Sequence, residues 1–109
     1  MIPRRGEVWW VRLDPTLGSE IAKTRPCLIV STDVINERRR TVVVVPLSTS
    51  PQASPPLLVP VRTEGRDAVA VIDQIRAVSK QRLDQRLGEL SAQHLIDVEQ
   101  ALRDILELG

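Results

Sequence analysis

The 109-residue sequence contains very few aromatic or sulfur-containing side chains. It has two Trp, no Tyr or Phe, one Cys, one Met and one His. One Cys excludes a disulfide framework, and with a single His it leaves too few ligands for a zinc cluster, so we expect no metal and no cofactor. Cys27 lies in an apolar run and is predicted to be a small buried hydrophobe. No apolar run approaches the length of a membrane span.

The remaining composition predicts one globular domain over residues 1–109. Hydrophobic residues make up 42% of the chain, which is ordinary for a soluble protein, and the core must come from Val, Leu and Ile. The N-terminal residues lack the apolar segment of a secretion signal. The sequence therefore predicts a cytoplasmic protein with no membrane partner.

Charge is unevenly distributed along the chain, although the formal net charge is only +1. Residues 1–90 carry 14 Lys or Arg against 10 Asp or Glu, whereas residues 91–109 carry 1 against 4. The densest basic cluster is 38–40. Such a run can contact a phosphate backbone, but it is also typical of a solvated turn.

Alternating and β-branched segments predict a mainly β (α+β) fold, a small curled β-barrel with a C-terminal helix packed on it. The predicted strands are 6–13, 27–31, 41–47, 57–61, 68–78 and 87–90, with a helical turn at 33–37 and turns at 62–67 and 79–82. Ser91 is a predicted N-cap for a helix over 92–108. The core-facing stripe of this helix is expected to be Leu95, Val98, Leu102 and Ile105.

Two polar loops, 14–24 and 48–56, adjoin predicted strands and are expected to form the rims of one groove. In the first strand Trp9, Val11 and Leu13 share the predicted core face. Trp10 lies on the other face with Val8 and Arg12, so we expect it to be half covered. It could stack on a base or accept a partner's side chain, or it could equally belong to the core.

The side chains in this region suit phosphate chemistry without a conventional titrating group. Arg25 offers a permanently charged planar fork of donors, although it could also be an ordinary surface arginine. An arginine with a hydroxyl can still cleave RNA, because the substrate 2′-OH supplies the nucleophile. Ser48 and Thr49 are the nearest hydroxyls, with turn formation as their alternative role. His94 is predicted to be a surface or packing residue.

Several short motifs, taken together, resemble the MazF/PemK family of toxin endoribonucleases from about residue 4 to residue 108. The motifs are Arg5-Gly6-Glu7-Val8-Trp9, Leu13-Asp14-Pro15, Gly18-Ser19-Glu20, Arg25-Pro26, the Val-Val-Val-Pro of residues 43–46, and Asp73-Gln74-Ile75-Arg76. The resemblance implies a small SH3-like β-barrel with a C-terminal helix, related to the gyrase poison CcdB. It also implies a homodimer that cuts single-stranded RNA at short motifs without a metal, leaving 2′,3′-cyclic phosphate and 5′-OH ends. A MazE-like antitoxin, with an acidic tail in the RNA groove, is the implied protein partner.

The same resemblance assigns roles to individual residues. Arg25 matches the catalytic arginine, and Ser48 occupies the place of the usual catalytic threonine. Thr49 is next to it, so which hydroxyl acts stays open. The predicted RNA-binding residues are Ser19, Glu20, Lys23, Asp73, Gln74 and Arg76, with Trp10 in the groove that RNA and antitoxin would share. For Asp73 and Gln74 the alternative is a strand-end hydrogen bond.

Two other functions remain compatible with the sequence. A toxin of the same fold could poison DNA gyrase by binding alone. A non-catalytic RNA-binding relative, degenerate at Ser48, is the second alternative.

Overall fold

Seven antiparallel strands form one curled sheet in the computed structural model, which describes residues 2–49 and 52–109. The strands are β1 Glu7–Arg12, β2 Thr24–Ile29, β3 Thr41–Ser48, β4 Leu58–Thr63, β5 Arg66–Val71, β6 Arg76–Ser79 and β7 Leu83–Glu89. Their order is β4-β5-β3-β2-β1-β7, and β6 also pairs with β3. The helices are α1 Asp33–Arg38 and α2 Ala92–Leu106. The predicted mainly β fold with a C-terminal helix is confirmed, as a half-barrel.

Both faces of this sheet are covered by apolar side chains. One cluster contains Val8 and Leu28 and receives α2, whereas the other contains Trp9, Val11 and Cys27. The sequence predicted that only the face of β1 with Trp9 and Val11 belongs to the core. For Val8 on the opposite face this was wrong, because the cluster beneath α2 buries Val8 completely. Trp10 is a member of neither cluster and is half-buried, as predicted.

The C-terminal helix begins where the sequence predicts. The Ser91 hydroxyl accepts a hydrogen bond from the His94 N–H at 3.2 Å, which satisfies one of the free donors of the first turn. Val98 is fully buried, and the other members of the predicted stripe, Leu95, Leu102 and Ile105, pack against the same cluster. The helix ends at Leu106 instead of residue 108, because Glu107 adopts a left-handed conformation. His94 Nδ1 accepts from the Arg62 N–H at 3.2 Å, which is a packing role.

The predicted strand over 68–78 is in fact two strands, β5 and β6. Leu47 pairs with Ala70, but Val44 pairs with Arg76, so the register against β3 shifts by three residues. A 3₁₀ turn at Ile72–Gln74 supplies those three residues. Its fully buried Ile72 anchors the bend, which explains why the apolar pattern continues through a break in the strand.

Other boundaries also differ from the sequence prediction. The turn predicted at 62–67 is only the two-residue tip of the β4–β5 hairpin, since Thr63 already pairs with Arg66. The strand predicted at 87–90 extends back to Leu83 because it pairs along most of β1. The predicted turns at 33–37 and 79–82 are confirmed as α1 and a 3₁₀ turn at Lys80–Arg82. Residues 50 and 51 of the predicted loop 48–56 lie outside the described residues. No helix in the described part of the chain is long and apolar enough to cross a membrane.

Asp33 ties the N-terminal segment to α1, and this contact predicts a pH dependence of stability. Its Oδ1 accepts the Arg5 N–H at 2.8 Å, and its Oδ2 lies 3.2 Å from Arg4 Nη2. The hydrogen bond from Arg5, helped by the Arg4 charge, lowers the pKa of Asp33 below its usual 3.8. A carboxyl whose pKa is lower in the folded than in the unfolded chain stabilises the fold at pH values above its unfolded-state pKa. That stability is lost as the pH falls through the folded-state pKa.

We therefore expect Asp33→Asn to weaken the dependence of the free energy of unfolding on pH in the acid range. Urea unfolding at pH 7 and near pH 3 measures it, because near pH 3 the carboxylate of the unfolded chain is protonated to a larger extent than the native one. The variant should lose less stability than the parent between these two pH values. An unchanged pH dependence would contradict this role for Asp33.

Candidate active site

A groove of about 520 Å³ opens at the junction of β2, the end of β3 and the β4–β5 hairpin. The residues that line it are Trp10, Thr24, Arg25, Pro26, Leu47, Ser48, Thr49, Thr63, Glu64, Arg66, Asp67, Ala68 and Leu87. All three predicted catalytic residues, Arg25, Ser48 and Thr49, thus lie on one surface with Trp10. The loop 14–24 contributes Thr24 to this lining, and the β4–β5 hairpin contributes four polar residues that were not predicted.

The strand register explains why Arg25 and Ser48 meet. The β2–β3 ladder ends at the pair Cys27–Pro46, and continuing that antiparallel register by two residues places Arg25 opposite Ser48. Proline cannot donate to a ladder, which is consistent with the ladder ending here. Arg25 lies within β2, which begins at Thr24 and not at Cys27 as predicted.

The Arg25 side chain is exposed and held at one point. Its Nε donates to the Ala22 carbonyl at 3.2 Å, and no acidic partner for its guanidinium exists within residues 2–49 and 52–109. The backbone of the preceding loop therefore orients the guanidinium and leaves its terminal N–H groups for a ligand. Half-buried Ser48 and exposed Thr49 place two hydroxyls on the same groove.

The floor of the groove is apolar. Trp10 pairs with Pro26 across β1 and β2, and Leu47, Ala68 and Leu87 complete the surface. An indole beside a proline and aliphatic side chains offers a stacking surface for a nucleobase. The combination of apolar floor and cationic wall suits a single-stranded nucleic acid.

Cys27, next to this site, has no catalytic chemistry to offer. Burial raises the pKa of its thiol to about 12, against a smaller opposing effect of the Arg76 charge. The thiol therefore stays protonated and is a poor nucleophile at neutral pH. This confirms its predicted role as a buried core residue.

The six predicted RNA-binding residues are absent from the described groove lining. Several of them make local contacts that tie the β1–β2 loop to the sheet. Gln74 Oε1 accepts the Ile21 N–H at 3.3 Å, Arg76 donates to the Leu13 carbonyl at 3.5 Å, and Glu20 accepts the Leu17 N–H at 2.8 Å. The remaining three, Ser19, Lys23 and Asp73, lie on the same loop or the 3₁₀ turn. RNA binding by the six stays a prediction.

The hairpin residues Thr63, Glu64, Arg66 and Asp67 line the groove, and sequence reasoning missed them. The turn itself was predicted at 62–67, but its place in the groove was not. The proximity of the hairpin residues to Arg25 depends on long-range pairing of β5 with β3, which no local pattern reveals. The run at 38–40 forms a separate basic pocket with Lys80, at the opposite end of β3.

Charges in the groove are only partly compensated. Asp67 is paired with Arg62 at 2.9 Å, whereas neither Arg66 nor Glu64 has an ion-pair partner among the described residues. Residues 2–49 and 52–109 contain no group of three or more His, Cys, Asp or Glu placed to hold a metal ion. The chemical groups of this site are thus cations, hydroxyls and the unpaired Glu64 carboxylate.

The chain resembles known proteins over nearly its whole length. The family of PemK-like, MazF-like toxins of type II toxin–antitoxin systems matches residues 4–106. The chain belongs to this family. Endoribonuclease MazF9 of Mycobacterium tuberculosis is 36% identical, over 96% of this chain and 97% of that protein. Endoribonuclease EndoA of Bacillus subtilis is 33% identical, over 99% and 97%.

Solved structures of MazF proteins share the fold. MazF from Deinococcus radiodurans superposes with a TM-score of 0.86 at 25% identity, covering 99% of both chains. A mycobacterial endoribonuclease in complex with its cognate antitoxin gives a TM-score of 0.83 at 27% identity, over 98% of this chain and 97% of that one. The predicted MazF/PemK resemblance is therefore confirmed.

Proposed function

We propose that this chain, a toxin endoribonuclease of the PemK/MazF family, cleaves single-stranded RNA through the substrate's own 2′-OH. The observation that carries the proposal is the meeting of Arg25 with Ser48 and Thr49 in one groove with an apolar floor. Such a site can hold a phosphate in line and stabilise added negative charge.

In the proposed reaction, the 2′-oxygen attacks the adjacent phosphorus and the P–O5′ bond breaks. The 2′-OH loses its proton, and the departing 5′-oxygen gains one. The products are a 2′,3′-cyclic phosphate and a 5′-OH end. The groups that transfer these protons are not assigned, since arginine is a poor general base at neutral pH.

Arg25 binds the scissile phosphate and stabilises the pentacoordinate state, whose charge exceeds that of the ground state. A hydroxyl, Ser48 by position, donates a hydrogen bond to a phosphate oxygen. These interactions strengthen as charge develops, which is the requirement for catalysis. None of these steps uses a metal ion, so we propose metal-independent cleavage.

An antitoxin partner and a homodimer form part of this proposal. A mycobacterial relative forms a complex with its cognate antitoxin. The unpaired Arg25 and Arg66 in the groove would attract an acidic, extended segment as readily as RNA. The cytoplasm, where mRNA is present, is the proposed location.

The experiment that tests the proposal is cleavage of a long single-stranded RNA in excess chelator, with both new ends mapped. Cuts at one short motif that leave cyclic phosphate support the proposal. No cutting by a folded, antitoxin-free preparation would favour the gyrase-poison or non-catalytic alternative. Cutting only after a metal is restored would contradict metal independence.

The proposal predicts different effects for removing the hydroxyls of Ser48 and Thr49. If Ser48 donates to the phosphate, Ser48→Ala should lower kcat by about 10²-fold, as expected when one preorganised donor is removed. Ser48→Thr, which keeps the hydroxyl, should retain most activity. Thr49→Ala is the matched control and should change kcat by less than about tenfold. Single-turnover cleavage of one mapped RNA measures all three, and a larger loss in Thr49→Ala would reverse the assignment.

A further inference from the structure

The tip of the β4–β5 hairpin holds an acidic side chain in a conformation that glutamate does not favour. Glu64 and Gly65 are the two central residues of the hairpin turn, and their φ angles are 50° and 72°. Left-handed backbone at both positions favours Asn-Gly or Gly-Gly, and a residue such as glutamate is strained there. Strain of this kind is concentrated at binding and catalytic sites.

The same side chain bridges the two edges of the curled sheet. The Glu64 carboxylate lies over Gly88 of β7, so closely that a Cβ added at Gly88 would lie 3.0 Å from Glu64 Cδ and nearer still to Oε1. Gly88 therefore provides the space in which the carboxylate is seated. Leu87, the next residue in β7, lines the groove, so Glu64 closes the groove at this end.

Other contacts fix the position of the hairpin tip. The Arg62 guanidinium binds the Asp67 carboxylate at 2.9 Å and the Gly65 carbonyl at 3.0 Å. Thr63 beside it is 8% exposed, and its Oγ1 is the one buried side-chain polar atom without a partner in the described part of the chain. Buried polar groups are normally satisfied, so an empty hydrogen-bonding position at the groove wall is consistent with a ligand or ordered water there.

We infer that Glu64 determines base preference in the RNA groove, by accepting a hydrogen bond from the exocyclic amino group of one base. This inference rests on the proposed ribonuclease function. The phosphate backbone would be repelled by an unpaired carboxylate and attracted by Arg25, so the side of the RNA that meets Glu64 is a base edge. Carboxylates accept from the cytosine amino group, whereas uracil presents a carbonyl there.

The test is cleavage of a single-stranded RNA library randomised in sequence, followed by sequencing of the new ends. The parent protein should discriminate against uracil at one position of its motif. Glu64→Gln, whose amide both donates and accepts, should reduce that discrimination by about 10- to 100-fold and leave the other positions unchanged. Glu89→Gln, an exposed neighbour outside the groove lining, is the matched control and should keep the parent motif.

Two further variants separate the effect of the position of the Glu64 carboxylate from the effect of its charge. Gly88→Ala replaces no residue of the groove lining but displaces the Glu64 carboxylate, so it should relax the same position of the motif. Glu64→Asn suits the left-handed backbone better than glutamate, so it should raise Tm by a few degrees while losing the preference. This second variant keeps the test valid if Gly88→Ala fails to fold.

The outcomes distinguish this inference from the proposed function. If the parent protein does not cut RNA, the proposed function fails. If it cuts and Glu64→Gln retains the parent motif, only the role of Glu64 is overturned. A loss of rate that is equal at every sequence would also overturn it, because Glu64 would then act in the chemistry itself and not in base preference.

Discussion

Replacing Arg25 by alanine should reduce RNA cleavage by about 10³-fold or more while the protein stays folded. A positioned arginine that stabilises charge on a transferring phosphoryl group contributes 10³- to 10⁵-fold in enzymes that use one. The Arg25 side chain is exposed, and its Nε donates to the Ala22 carbonyl, so its removal leaves both apolar clusters intact.

Single-turnover cleavage measures this effect, with thermal unfolding as the check on folding. Arg25→Lys keeps the charge but loses the planar fork, so it should recover only part of the activity. Arg103→Ala removes an exposed arginine on α2, remote from the groove, and should cleave like the parent. Cleavage by Arg25→Ala within about tenfold of the parent would remove Arg25 from the mechanism.

Replacing Leu28 by alanine should destabilise the fold by about 3–4 kcal/mol, in the range measured for buried leucines. Leu28 is fully buried in the central strand β2, where it pairs with Val8 on β1 and Val45 on β3. The cavity left behind would lie between the sheet and α2. Because whole domains are stable by only about 5–15 kcal/mol, this loss is a large share of the total.

Urea unfolding followed by Trp fluorescence measures the change in the free energy of unfolding. Leu17→Ala is the matched control: its side chain is 82% exposed on the β1–β2 loop, so the same truncation should change stability by less than about 0.5 kcal/mol. Equal effects at the two positions would contradict the assigned core. A loss at Leu28 below about 1 kcal/mol would mean that the surrounding side chains collapse into the cavity.

Local patterns in the sequence predicted some features of this molecule accurately. Ser91 and the spacing from Leu95 to Ile105 fixed the start and buried face of α2, because a helix cap and a 3.6-residue period are properties of a short segment. The β-branched run at 41–47 located β3 for the same reason. The sequence also predicted Arg25 and Ser48 as site residues; the structure places both on one groove, and their catalytic role stays a prediction.

The remaining features depend on contacts between distant segments. The bend at Ile72–Gln74 is invisible in an apolar pattern, since its buried Ile72 continues that pattern while the register shifts. The hairpin wall at Glu64 reaches the groove only because β5 pairs with the end of β3 and the tip rests on Gly88. Long-range pairing of this kind is set by the whole sheet, which a single stretch of sequence does not specify.

A sheet buried on both sides limits how its strands can change in evolution. In β4 buried and exposed positions alternate, so exposed Pro60 is free to vary while buried Val59 and Val61 are constrained. In β1 neighbouring Val8 and Trp9 are both buried, and the inner half of β2 is buried at every position from Cys27 to Ile29. These central strands have no solvent-exposed face on which substitutions would be neutral. We therefore expect new RNA preferences to arise through substitutions in the hairpin and loops, while the sequence at the centre of the sheet changes little.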